Sequence, residues 1–257
     1  MTLNHSNKKK LITFNRIGKL FFVFALLVFA YSYSPYKLEF LGHYDKIWAH
    51  RTNDSGRLNS ALNYYPGVEV DLTYNEIDDY LDVNHPYQTS VGLTFKDLIN
   101  SIKSPLNLKG LWLDLKNLSE TNQDIILKKI TSALKQKDID HGVVLIESPN
   151  PSLLQKFSDA GFKVSYYLPK ELYKKTDSEL LSEISKITEM LKNFPELPIS
   201  TSHDDYEIIH KHFPKKDKYI WALVWTLNLD YFEVKRVLND PKVRVVLVNY
   251  KTLKGNR

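Results

Sequence analysis

From residue 46 onward the chain repeats one alternation eight times. Short runs rich in β-branched and aromatic residues stand at 46–51, 67–74, 110–116, 142–148, 163–168, 198–202, 218–225 and 243–250. Helical patterns lie between them, most clearly at 119–137, 151–160, 177–192, 204–212 and 230–239. Strands alternating with helices predict a parallel α/β structure. Eight units in so short a span predict a closed (β/α)8 TIM barrel over about residues 43–257, not an open doubly wound sheet. Ser119 and Asp177 read as N-caps, Pro151 suits a first helical turn, and Gly161 follows a helix end. No G-x-G-x-x-G or Walker-type loop follows a strand, which argues against nucleotide-binding folds. One connection is anomalous: about twenty residues separate the second strand from a helix starting near Thr94, long for a βα loop. Long loops on the C-terminal face of a barrel are where function concentrates.

The segment before the barrel obeys different physics. Lys8, Lys9, Lys10, Arg16 and Lys19 lie in residues 1–19, which contain no acid. Leu20 to Tyr31 then form an uninterrupted apolar and aromatic run, and Ser32 to Tyr36 read as an interfacial end. Taken as 20–36, the segment is expected to be a transmembrane or signal-anchor helix. The cationic flank would then stay in the cytoplasm and the barrel would lie across the membrane. The competing expectation is a cleaved signal peptide and a secreted barrel. The formal net charge of +5 comes from this leader, because the remainder holds 30 basic and 30 acidic residues. A neutral barrel offers no electrostatic footprint for nucleic acid. With no cysteine, the chain has no disulfide, no thiolate metal site and no cysteine nucleophile.

Polar residues gather at the C-terminal ends of the first three main strands. His50 and Arg51 end the first, Glu69 and Asp71 sit on the second, and Asp114 and Lys116 sit on the third. Residues at i and i+2 share a face of a strand, so each pair projects together. Three carboxylates converging at a barrel mouth repel one another unless a cation lies between them. Hard oxygen donors suit Mg2+ or Ca2+. Lys116 would neutralise anionic charge beside the ion, and His85, in the long loop, would face His50 across the site. Each piece also has a plain structural explanation, as an ion pair or a solvated histidine; their joint placement at three successive strand ends favours the site. Glu147, ending the fourth strand, is either a fourth acid or a helix cap. His203 adjoins Asp204 and Asp205 and looks like part of an N-cap. Trp225 and Tyr250 would line a pocket or simply pack. His210 and His212 do not share a helix face and make a poor metal pair.

The order His50-Arg51, Glu69-Val70-Asp71, His85-Pro86 and Asp114-Leu115-Lys116 resembles the glycerophosphodiester phosphodiesterase-like superfamily of TIM barrels. The resemblance is carried by residues 47–117. It implies a divalent metal on Glu69, Asp71 and Asp114, His50 and His85 as acid and base, and Arg51 and Lys116 on the phosphate. Thr52 replaces the glycine usual after His-Arg, Pro86 follows the second histidine where aspartate is usual, and Asp114 replaces a glutamate. The His50-to-Asn53 start, the Asp-Leu-Lys strand and Asn249 are similar to the sphingomyelinase D-like branch. The short start with Leu58, Ala61 and Leu62, together with the His-Pro pair, is similar to the menorin-like branch. The implied activity is hydrolysis of glycerophosphodiesters or lipid-derived phosphodiesters at a membrane, with a cyclic phosphate as an alternative product. The rival class is a barrel that binds lipid or phosphate without turnover.

Overall fold

The computed structural model describes residues 5–105, 108–222 and 231–250, with backbone only for 5–16 and 32. Eight parallel strands close into a barrel: β1 Ile47–His50, β2 Gly67–Asn75, β4 Gly110–Leu115, β5 Val144–Ser148, β6 Lys163–Tyr167, β7 Ile199–Ser202, β8 Lys218–Ala222 and β9 Val243–Asn249. Closure comes from β1, which pairs with β9 along its length and with β2 at Ala49 and Val68. The eight expected strands are therefore present, each within two residues of its expected start; residues 223–225 of the expected seventh fall outside the described residues.

The helices follow their local chemistry. Asp54 caps α2 (Ser55–Ala61) by accepting from the Arg57 amide, and Thr94 caps α3 (Phe95–Asn100) through the Asp97 amide. Helix α4 spans Gln123–Lys135 and α5 spans Gln155–Asp159. The first begins four residues after the expected cap at Ser119, because Asn122 takes the N-cap position. Helix α6 (Asp177–Asn193) opens with a reciprocal capping box between Thr176 and Glu179, so Asp177 is the first helical residue and Thr176 the cap. Helices α7 (Tyr206–His212) and α8 (Tyr231–Asn239) complete the set.

Strand alternation sorts the core into two layers. Outward residues such as Val68, Val70, Leu113 and Ile146 pack against Leu58, Leu98, Ile130 and Phe157 of the helices. Inward residues Trp48, Trp112, Leu145, Tyr219, Val245 and Leu247 fill the barrel axis. The Trp48 indole is admitted by two glycines at the bottom of neighbouring strands. A methyl group at Gly67 would fall 2.3 Å from Trp48 Cδ2, and one at Gly110 would fall 1.9 Å from Cη2. Gly110→Ala is therefore expected to destabilise the barrel by about 1–3 kcal/mol through overpacking. A chemical-denaturation midpoint unchanged from wild type would contradict that packing.

The long connection after β2 is not structureless. A short strand, β3 (Tyr80–Asp82), turns back antiparallel on the upper end of β2, and Asp82 bridges to Thr94. This hairpin carries the chain to His85 and pins the loop against the mouth.

The N-terminal helix α1 spans His5–Tyr33 and bears exposed Leu20, Phe21, Phe22, Phe24 and Leu27. Among the described residues no helix is long and apolar enough to cross a membrane. The spanning segment expected at 20–36 is thus not supported. The helix ends before Tyr36, and its uninterrupted apolar run from Leu20 to Tyr31 rises only about 18 Å at 1.5 Å per residue, against a hydrocarbon core of about 30 Å.

Candidate functional site

Register brings the acids together. Asp71 on β2 lies beside Asp114 on β4, Asp114 beside Glu147 on β5, and Glu147 beside Ser165 on β6. Glu69 projects one pleat lower than Asp71 on the same inward face. One oxygen each from Glu69, Asp71 and Asp114 lies within 4.8 Å of the others. His50, Arg51, His85, Lys116 and Glu147 line the same cavity, so the expected catalytic, metal and phosphate residues converge on one mouth.

Each acid is held by specific donors. Glu69 Oε2 accepts the Arg51 amide at 2.6 Å, and its backbone carbonyl accepts both the amide and the hydroxyl of Thr52, at 2.9 Å each. This wraps the end of β1 tightly around Glu69. Arg51 sits at φ +53°, a left-handed conformation costly for a side-chain-bearing residue and typical of constrained sites. Asn53 grips Asp71 twice: its amide donates to Oδ2 at 2.7 Å, and its oxygen accepts the Asp71 amide at 3.0 Å. Lys116 Nζ lies 2.8 Å from Asp71 Oδ1 and hydrogen-bonds Asp114. Arg51 Nε is 3.9 Å from Asp71 Oδ2.

The electrostatics reflect burial of more negative charge than the side-chain cations balance. Burial drives the Glu69 carboxyl well above the usual range, helped by repulsion from Asp71 and Asp114. Burial also raises Asp114, against the pull of Lys116. Asp71 meets the same desolvation, but Lys116 and Asn53 outweigh it and hold its pKa low. Glu147, fully enclosed, is raised by burial and by Asp114 while its oxygens accept from Trp112 Nε1 and, at 2.6 Å, from Ser200 Oγ. The helix-cap explanation for Glu147 does not hold. It is an interior acid, and Ser148 Oγ takes the local role by accepting the Asn150 amide.

The histidines flank this cluster. His50 Nε2 is 3.8 Å from Glu69 Oε2, and its register partner on β9 is Asn249. Burial, assisted by Arg51, lowers His50 to about 3, while a side-chain hydrogen bond to Asn249 acts in the opposite sense. His85 is lowered as well, chiefly by burial, with Asp71 opposing.

The donor set fits a hard divalent cation: three convergent carboxylates, two of them raised by burial, and no sulfur ligand. Added Mg2+ or Ca2+ is expected to raise the melting temperature by mass action. Glu69 and Asp114 hold protons in the folded chain at pH values where the unfolded chain has released them. The folded state without metal is therefore penalised increasingly as pH rises above the ordinary carboxyl range, and the metal-induced gain should grow with pH across that window. A melting temperature indifferent to both ions at pH 5 and at pH 8 would contradict this donor set.

Several lining residues were not anticipated. Tyr167 on β6, Trp221 on β8 and Leu247 on β9 face the cavity, and Lys170 reaches its rim. Their signal was the two-residue alternation of strands carrying no acid or histidine. Of the two readings for Tyr250 the structure has packing: its ring lies against Tyr64 and Tyr65 and its hydroxyl bonds Ser60 at 2.6 Å, outside the mouth. Trp225 lies outside the described residues. His203 pairs with Asp204 at 3.3 Å, and His210 with Asp240 at 3.2 Å.

No protein-family model matches the chain, and no curated protein matches its sequence. Solved structures do match its fold. A glycerophosphodiester phosphodiesterase from Parabacteroides distasonis superposes with a TM-score of 0.55 at 14% identity, covering 79% of this chain and 92% of the other. An Oleispira antarctica phosphodiesterase in complex with the product sn-glycerol-3-phosphate gives 0.53 at 15% identity, covering 80% and 93%. The fold of this chain is thus that of the glycerophosphodiester phosphodiesterase-like TIM barrels, as residues 47–117 led one to expect.

Proposed function

We propose that the mouth hydrolyses a glycerophosphodiester or a related lipid-derived phosphodiester, with His50 and His85 as its acid–base pair. The observation that carries this reading is the convergence of three carboxylates and two histidines in one cavity. The phosphodiesterase folds of the neighbours support it. A divalent cation held by Glu69, Asp71 and Asp114 would supply stabilisation for charge developing on the phosphate oxygens.

The chain's own residues do the rest. Arg51, with its side chain 45% exposed at the mouth, meets the anionic phosphate as a forked donor, and Lys116 adds a second positive charge. One histidine takes the proton of the attacking water as the new P–O bond forms. The other gives a proton to the ester oxygen as the old P–O bond breaks. A phosphomonoester and an alcohol leave. Glu69 sits near His50 and holds the Arg51 backbone, so the acid also sets the position of the first histidine and the phosphate ligand. If a substrate hydroxyl attacks instead of water, the first product is a cyclic phosphate.

One feature favours the rival class, a barrel that binds phosphate without turnover. Lys116 already bridges Asp71 and Asp114, so a cation is built into the acid cluster. Phosphorus NMR of the full chain with glycerophosphodiesters and Mg2+ or Ca2+ separates the readings. Hydrolysis gives a phosphomonoester signal, cyclisation gives a cyclic diester, and an unchanged substrate signal would leave the binding reading in place.

We also propose that the barrel sits at a membrane surface. The exposed apolar side chains of α1 behind a cationic leader support attachment to anionic lipid. Recovery of the full chain from cells in the soluble fraction alone would contradict it.

A further inference from the structure

We propose that Tyr167, Lys170 and Trp221 form the subsite for the alcohol portion of the substrate, and that it selects an uncharged, hydroxyl-bearing alcohol over one carrying a quaternary ammonium. The proposal rests on the phosphodiesterase reading and names the substrate class of the same site.

The position is set by the barrel. Arg51 and His50 end β1, while Tyr167 ends β6 and Trp221 lies on β8, yet all line one cavity. A phosphate held between Arg51, Lys116 and the acid cluster therefore leaves the rest of the substrate facing the β6–β8 wall. That wall is aromatic, and aromatic walls commonly hold quaternary ammonium groups on open ring faces.

Here the faces of Tyr167 are not open. Tyr167 and Trp221 stack nearly parallel, 18° apart with centroids at 6.2 Å. Lys170 Nζ lies 5.3 Å from the Tyr167 centroid. The protein's own ammonium occupies the position that a choline head would need. Among the described residues Lys170 makes no salt bridge, so its charge is not cancelled by a neighbouring acid. Its field reaches both Asp114 and His85. A second fixed cation at the rim is repelled by it, which is discrimination against one headgroup class.

A separate observation points to what the wall accepts. Trp221 Nε1 is buried and has no hydrogen-bond partner among the described residues. Buried donors are rarely left so, and the residue that carries this one lines the cavity. A hydroxyl or other oxygen on the alcohol satisfies it; a trimethylammonium carries no acceptor. One residue therefore disfavours the cationic head and another favours the hydroxylated one.

The test compares glycerophosphoglycerol with glycerophosphocholine on the full chain with Mg2+. Wild type should prefer glycerophosphoglycerol in kcat/KM by about tenfold or more, the scale of one buried polar contact. Lys170→Ala should shrink that ratio by raising the choline substrate, and Trp221→Phe should shrink it by lowering the polyol substrate. Calorimetric Kd values for the two diesters should rank the same way whether or not turnover occurs. The subsite thus stands or falls separately from hydrolysis. Equal or tighter binding of glycerophosphocholine by wild type would overturn the proposal, as would a ratio unmoved by both variants.

Discussion

Asp71→Asn is expected to lower phosphodiester turnover by at least about a hundredfold and to weaken divalent-cation binding in parallel. Asp71 is the hub of the cluster. Its carboxylate accepts the Asn53 side-chain amide and contacts Lys116 and Arg51, and its backbone amide donates to the Asn53 oxygen. The amide keeps the size of the side chain but removes a charge. It also turns one acceptor into a donor, which must face either the Asn53 amide or the Lys116 ammonium. The lost interactions therefore belong to metal binding, phosphate placement and the orientation of Lys116 together. Calorimetry and turnover should fall in step while the far-ultraviolet circular dichroism stays that of the barrel. Turnover preserved in a folded Asp71→Asn protein would remove Asp71 from the site.

His50→Ala should separate the two functions that Asp71 joins. Its ring is 3.8 Å from Glu69 and it is not one of the three convergent carboxylates, so metal affinity should change little. Loss of one acid–base partner should lower kcat by about 10²–10⁴. His85→Ala should behave alike. Both histidines are pushed below the ordinary value of 6.5, mainly by burial. The histidine acting as base is active when neutral, so protonation at low pH removes activity. Because kcat/KM reports the free enzyme, this acid limb should lie below pH 6.5. A limb above that value, or a His50→Ala variant that loses metal while keeping turnover, would contradict the assignment.

Much of this site was legible because barrel geometry turns spacing into direction. Glu69-Val70-Asp71 and Asp114-Leu115-Lys116 announce inward pairs through a two-residue period alone. The parallel register then places Asp71 against Asp114 and Asp114 against Glu147. The spacing does not reveal partners. Whether Lys116 would serve Asp71, Asp114 or a ligand depends on rotamers set by neighbouring strands, and it bonds both acids. Glu147 was ambiguous for the same reason: its partners Trp112 and Ser200 lie 35 and 53 residues away. The three-residue strand Tyr80–Asp82 escaped notice because so short a run in a polar loop carries almost no periodic signal; tertiary pairing with β2 creates it. The leader shows a different limit. Its apolarity was plain, but a run of apolar residues does not by itself fix a spanning length, and the helix ends at Tyr33.

The most direct test of the metal-dependent phosphodiesterase assignment is release of p-nitrophenol from bis-p-nitrophenyl phosphate by chelator-treated full-length protein as Mg2+ or Ca2+ is restored. The cluster of Glu69, Asp71 and Asp114 predicts that chelation abolishes turnover and that one of these ions returns it, in wild type but not in Asp71→Asn. Turnover indifferent to chelation, or none with either ion, would contradict it.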